Sequence, residues 1–167
     1  METPLQYILT NTYKAEMISY MESHPEDFEE AIKLAISNKQ PYSWRAAWLL
    51  WSCMEENDKR VHRYIKSIIN TITTASDNHQ RELFKILLLM ELNEKYVGYL
   101  FDICVTVWEK INKRPAVRIN SFKILIKIAK KYPELFHEIK FLTQNQYLDS
   151  LSPAVKKSIS KMLKTFP

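Results

Sequence analysis

Pro115-Ala116-Val117-Arg118-Ile119-Asn120-Ser121-Phe122-Lys123-Ile124-Leu125 is the stretch that decides the fold. Two pieces of it recur at one common offset. Pro115-Ala116-Val117-Arg118 is matched further on by Pro153-Ala154-Val155-Lys156. Phe122-Lys123-Ile124-Leu125 is matched at the same spacing by the earlier Phe84-Lys85-Ile86-Leu87, and by a weaker later copy, Ser160-Lys161-Met162-Leu163. Another repeat back, Pro41 precedes Trp44-Arg45, and Arg45 precedes Arg81 by nearly the same interval. The partner segments echo as well: His24-Pro25-Glu26-Asp27-Phe28 against Tyr132-Pro133-Glu134-Leu135-Phe136. A period of 36–38 with two helices per period points to stacked hairpins, each burying its apolar face on the next.

Apolar residues keep helical spacing along the rest of the chain. Val61, Tyr64, Ile65, Ile68, Ile69 and Ile72 form one stripe, with Arg60, Arg63, Ser67 and Asn70 opposite. The same pattern predicts helices at about 3–22, 26–38, 42–56, 58–74, 77–92, 94–112, 115–131, 133–147 and 153–165. Pro25, Pro41, Pro115, Pro133 and Pro153 stand where helices begin, the position that tolerates a missing N–H. Ser23, Asn57, Ser76 and Ser152 are candidate caps. Linkers of a few residues force neighbouring helices to run antiparallel.

Composition narrows the function. The 167 residues suit one domain able to bury a core without staples. Gly98 is the one glycine, so a Walker loop, a dinucleotide fingerprint and a nucleophile elbow are excluded. Cys53 and Cys104 sit in separate apolar helices and read as buried thiols of a reducing compartment. No signal peptide or membrane span is visible, and a cytoplasmic protein without membrane association is expected. The charge is uneven. Residues 1–110 carry 12 Lys/Arg and 16 Asp/Glu, whereas 111–167 carry 12 and 3. A basic C-terminal third suggests an acidic partner or a phosphate backbone.

The Pro-x-x-Arg entry to a first helix of a pair, at Pro115–Arg118, and the segment Ser43-Trp44-Arg45-Ala46-Ala47-Trp48 resemble the HEAT/armadillo class. More narrowly, the chain resembles short bacterial HEAT-like proteins of unknown function. The resemblance covers most of 23–165. It implies an all-α, right-handed α-α superhelix of about four hairpins, with 1–22 as an N-terminal cap helix. The second helix of each pair then lines a concave surface.

Catalytic chemistry is not legible. His24, His62, His79 and His137 fall on four separate elements without His-Glu-x-x-His spacing. Glu134-x-x-His137 has the spacing of a di-iron ligand pair but no second copy. Glu29-Glu30 and Glu55-Glu56 are neighbours that point ~100° apart on a helix, so neither is an acid–base pair. No catalytic residue, cofactor or metal is expected. Trp44, Trp48 and Trp51, spaced i, i+4, i+7, read as core filling, with an exposed aromatic patch as the alternative. Trp48 is assigned the repeat position of Phe84 and Phe122 and is expected to be buried. Basic residues form two groups: Lys59, Arg60, Arg63 and Lys66 on the 58–74 helix, and the lysines of the last third. The candidate interaction surface comprises Arg45, Arg60, Arg63, Lys123, Lys127, Lys130, Lys156, Lys157 and Lys161.

Three roles stay open at this point. The leading one is a non-enzymatic interaction module for a protein or peptide, as a monomer or an end-to-end homodimer. The second is nucleic-acid binding through the basic third, as the resemblance to HEAT-like DNA glycosylases implies, although none of their catalytic residues is matched here. The third is an enzyme whose site assembles from remote positions.

Overall fold

The computed structural model describes residues 1–166, and every regular element among them is helical. The chain divides into two compact units. The first, Met1–Glu91, holds α1 (Pro4–Asn11), α2 (Lys14–Ser23), α3 (Phe28–Ile36), α4 (Tyr42–Cys53), α5 (Ile65–Ile72) and α6 (Asp77–Leu88). The second, from Leu92 onward, holds α7 (Glu94–Glu109), α8 (Pro115–Lys131), α9 (Phe136–Phe141), α10 (Asn145–Leu148) and α11 (Pro153–Leu163). Three of the helical runs open with a 3-10 turn, at Pro25–Asp27, His62–Tyr64 and Pro133–Leu135. No helix is long and apolar enough to cross a membrane.

In the first unit α3 packs on α4 and α5 on α6, while α4 lies between α2 and α6. This makes α2, α4 and α6 one layer, with α3 and α5 in the other. In the second unit α7 packs on α8, which also meets α9 and α11. Apolar side chains fill the spaces between layers. Ala46, Ala47 and Leu50 of α4 and Leu83, Phe84 and Leu87 of α6 are buried, as are Phe122, Ile124 and Leu125 of α8.

Several helices differ from the sequence expectation, each for a local reason. The segment 3–22 is a helical pair, not one capping helix. Asn11 and Thr12 turn their side chains back to the carbonyls of Tyr7 and Ile8, at 3.0 and 2.7 Å, and the backbone becomes extended at Thr12. Such side-chain competition ends a helix without glycine or proline. Thr3 and Gln6 form a full capping box at the start of α1.

The segment 58–74 is helical only from Ile65 after its 3-10 turn, so Lys59 and Arg60 lie on a loop. There the buried Asp58 carboxylate accepts backbone N–H groups of Glu55 and Arg60, and Asn57 adopts a left-handed conformation. These hydrogen bonds offer the backbone an alternative to helix. The segment 133–147 is also broken, at Leu142–Gln144, and the Leu142 carbonyl there accepts the indole N–H of Trp108 at 2.8 Å. Of the cysteines, Cys104 is buried but Cys53 is only half-buried.

His79 shows how α6 is tied to its neighbour. Its ring is buried, with Nε2 donating to the Ala35 carbonyl at 2.6 Å and Nδ1 accepting from the Gln40 amide at 3.2 Å. A carbonyl can only accept, which assigns the proton of the neutral ring to Nε2. Burial holds the His79 pKa below its ordinary value. The unfolded chain therefore binds this proton more readily, and stability falls as pH drops below about 6.5 towards the folded value. Urea midpoints should decrease from pH 7 to pH 5, and His79→Gln should flatten that slope. Equal slopes in the two proteins would show that His79 is not the sensing group.

Candidate interaction faces

The helices α4, α8 and α11 carry the unusual surface chemistry. In the second unit, α8 and α11 contain no Asp or Glu. Lys123, Lys127 and Lys130 follow one another at i, i+4, i+7 on α8, with Lys123 and Lys130 exposed and Lys127 half-buried. On α11, Lys157 and Lys161 are exposed, whereas Lys156 is half-buried. Lys161 occupies the repeat position that Lys123 holds one period earlier. Residues 92–167 carry 14 Lys/Arg against 6 Asp/Glu, and all six acids lie off these two helices. Among the described residues, Lys123, Lys130, Lys157 and Lys161 make no ion pair. The sequence-predicted lysines of this third therefore sit on two helices that pack against each other.

Arg118, quoted above as part of the repeat motif, is not part of that surface. It is fully buried. Its guanidinium donates to the carbonyls of Trp108 at 2.8 Å and Tyr147 at 2.7 Å and to the Ser150 hydroxyl at 3.3 Å, and it lies 4.5 Å over the Trp108 ring. Burial lowers its pKa. In the first unit Gln80 does a related job at the matching register, donating to the Ile72 carbonyl at 2.8 Å.

The first unit presents a different face. Trp44, Trp48 and Trp51 are each half-buried, which corrects the expectation that Trp48 fills the core. The burial pattern gives the reason. Ala46-Ala47-x-Leu49-Leu50 is buried like Leu83-Phe84-x-Ile86-Leu87, so Ala47, not Trp48, corresponds to Phe84. The true offset is one longer than the expected one, and a single residue turns a helix by ~100°. Trp48 thus matches Lys85 and Lys123, on the side facing away from the core. Cations cover the row: Lys14 over Trp48 at 4.9 Å, Arg45 over Trp44 at 5.3 Å, and Lys85 over Trp51 at 4.5 Å. Trp48 and Trp51 meet edge-on with centroids 6.0 Å apart. The Trp51 indole donates to the buried Glu82 carboxylate, which also accepts from Arg81 at 2.7 Å.

Helix pairs that recur at a near-constant period, with matched repeat positions, are the mark of a repeat family. Residues 1–166 match the description HEAT repeat domain. The chain belongs to this family. No curated protein and no solved structure matches it.

In this HEAT repeat domain the remaining sequence-predicted site residues, Arg60 and Arg63, are engaged elsewhere. Arg60 forms a two-pronged pair with Asp58, Nε to Oδ1 at 3.0 Å and Nη2 to Oδ2 at 2.8 Å, and covers the Phe28 ring at 3.5 Å. The pair holds the Asp58 carboxyl below its usual range. Arg63 pairs with Glu29, which also accepts from Tyr64, and the Tyr64 hydroxyl is the main cause of the lowered Glu29 pKa. Both arginines line an open cleft of about 510 Å³ with Pro25, Glu29 and Tyr64. Their charges are satisfied within the repeat, and they are not grouped with Arg45. Among the described residues no three His, Cys, Asp or Glu side chains converge to hold a metal, and Glu134 and His137 are both exposed.

Proposed function

We propose that this HEAT repeat domain is a non-enzymatic interaction module whose partner is an acidic protein or peptide segment. The observation that carries the reading is the complete absence of Asp and Glu from α8 and α11, beside the stepped lysines Lys123, Lys127, Lys130, Lys157 and Lys161. A surface built only for solubility mixes both signs of charge. A one-sign face raises the local concentration of oppositely charged partners and speeds their encounter. Lysine suits such a face, because its flexible stem adapts to an extended acidic segment. Helical repeats supply extended surfaces for this purpose.

Fluorescence anisotropy with a labelled poly-glutamate peptide tests the reading. Binding should be measurable at low salt and weaken as ionic strength rises. The combined reversals Lys123→Glu, Lys127→Glu and Lys130→Glu should lower affinity tenfold or more, with helicity by circular dichroism unchanged. No association at low salt would sink the proposal. A nucleic-acid partner is the second reading, favoured by the same lysine spacing. It would appear as tighter binding of a labelled DNA duplex or single strand than of the peptide, with nonspecific dissociation constants of ~10⁻⁴–10⁻⁶ M at physiological salt.

A further inference from the structure

We propose that the notch between α7 and α9 is a docking site for an arginine side chain, presented by a peptide segment in which apolar residues flank it. The inference goes beyond the acidic-partner reading. It concerns other residues and the opposite sign of charge, and it does not rest on the lysines of α8 and α11.

The first observation is the notch itself. Val105, Glu109, Glu138, Phe141 and Leu142 line a cavity of about 220 Å³. Ligand pockets span ~300–1,000 Å³, so this one is small for a free metabolite and suits a single side chain. Leu142 is buried and Val105 half-buried, which gives the notch an apolar floor. Phe141 is 55% exposed, so much of its ring is open to a ligand. The Leu142 carbonyl accepts the Trp108 indole N–H at 2.8 Å, which ties the end of α9 to α7. The notch is thus formed before a ligand arrives, and little ordering is left to oppose binding.

The second observation is its unmet charge. Glu109 and Glu138 are exposed, and among the described residues neither forms an ion pair. The cations nearest in sequence, Lys110 and Lys140, form none either, and Lys140 lies 5.8 Å from the Phe136 ring instead. Two carboxylates lining one small cavity repel each other, and a cation seated between them relieves that repulsion.

The third observation is what the same chain does with the same groups. Arg60 pairs with both oxygens of Asp58 and lies 3.5 Å from the Phe28 ring. Arg63 pairs with Glu29 and lies 5.0 Å from the Tyr64 ring. Carboxylate, ring and guanidinium occur together in both places. The notch holds the carboxylates and the ring but no guanidinium. Arginine fits it better than lysine, because a planar group can pair with a carboxylate through two N–H groups and also stack on a ring. Its apolar stem then covers Val105 and Leu142. The second unit is basic as a whole, but at 0.1 M salt screening confines that repulsion to about 10 Å. A segment with one arginine therefore answers mainly to the charges it touches.

The test is a titration of the full chain followed by amide shifts in two-dimensional NMR. The probe is an eight-residue peptide with one arginine between two leucines in a glycine–serine frame. Saturable shifts should appear at Glu109, Glu138, Phe141 and Leu142. The same peptide with lysine in place of arginine should bind several-fold more weakly. Glu109→Gln with Glu138→Gln should weaken arginine-peptide binding roughly tenfold, the scale of a charge-assisted hydrogen bond, and leave poly-glutamate binding unchanged. Phe141→Leu keeps an apolar rim without a π face and should narrow the preference for arginine. All three positions are exposed, so helicity by circular dichroism should match the parent. No saturable shift at the notch, equal binding of the two peptides, or binding unchanged by the double variant would each overturn the proposal. Shifts of the same amides on raising protein concentration without peptide would make a second copy the occupant and overturn the reading of a separate partner. Loss of poly-glutamate binding alone would sink the lysine face and leave the notch standing.

Discussion

Trp108→Ala is expected to destabilise the second unit by about 3–5 kcal/mol, the range for removing a large aromatic from a packed core. Trp108 has no exposed surface, lies 4.7 Å from the Phe122 ring, and gives its indole N–H to the Leu142 carbonyl at 2.8 Å. Truncation removes the packing and leaves that carbonyl without its donor. Trp48→Ala should cost only about 1 kcal/mol, because its half-buried ring gives up part of the ~1.5–3 kcal/mol of a fully buried side chain. The contrast is the informative quantity. Chemical denaturation showing equal losses would return Trp48 to the core and remove the aromatic row from the surface.

Arg118→Ala should cost about 3–5 kcal/mol, because it leaves the carbonyls of Trp108 and Tyr147 without their donor and opens a cavity. The guanidinium is buried, pairs with no carboxylate among the described residues, and satisfies the carbonyls of Trp108 and Tyr147 and the Ser150 hydroxyl together. Each buried acceptor left without a donor costs ~1–3 kcal/mol, and the cavity adds to this. Arg118→Lys should recover only part of the loss, since one ammonium cannot span acceptors on two elements as a planar fork does. A loss below about 1 kcal/mol for Arg118→Ala would mean that water replaces the guanidinium at little cost. The two substitutions share the Trp108 carbonyl and ring, so their effects should not be additive.

The helical fold is open to reading because its main signals are periodic and local. The range predicted for α8 is the one observed, since Pro115 starts it and the apolar spacing runs unbroken to Lys131. The lysine set of α8 and α11 is legible for the same reason: helix faces follow from spacing alone. Three things are hidden. The register between α4 and α6 turns on one residue, and the bulk of Trp48 draws attention away from the small Ala47 that fills the core position. The breaks at Thr12 and Leu142 come with side chains that capture carbonyls, with no glycine or proline to announce them. The surroundings of Arg45 depend on the distant backbone of Leu9, and a backbone acceptor leaves no mark in a sequence. By the same logic, Arg60 and Arg63 look like candidates because their partners, Asp58 and Glu29, are brought close only by the loop and by the packing of α3 and α5.

The reach of the tertiary hydrogen bonds has a kinetic consequence. His79 to Ala35 spans 44 residues, Arg45 to Leu9 spans 36, and Trp108 to Leu142 spans 34. Each lies within one unit and links helices about one repeat apart. Closing loops of this size carries a modest entropy penalty that grows only with the logarithm of loop length. Native contacts can therefore form before a distant part of the chain is in place. Topologies dominated by such near-neighbour contacts fold in microseconds to milliseconds, and nucleation can begin in any pair of helices and spread to the next. On a ribosome, the first hairpins would be able to order while the lysine-bearing helices are still being made.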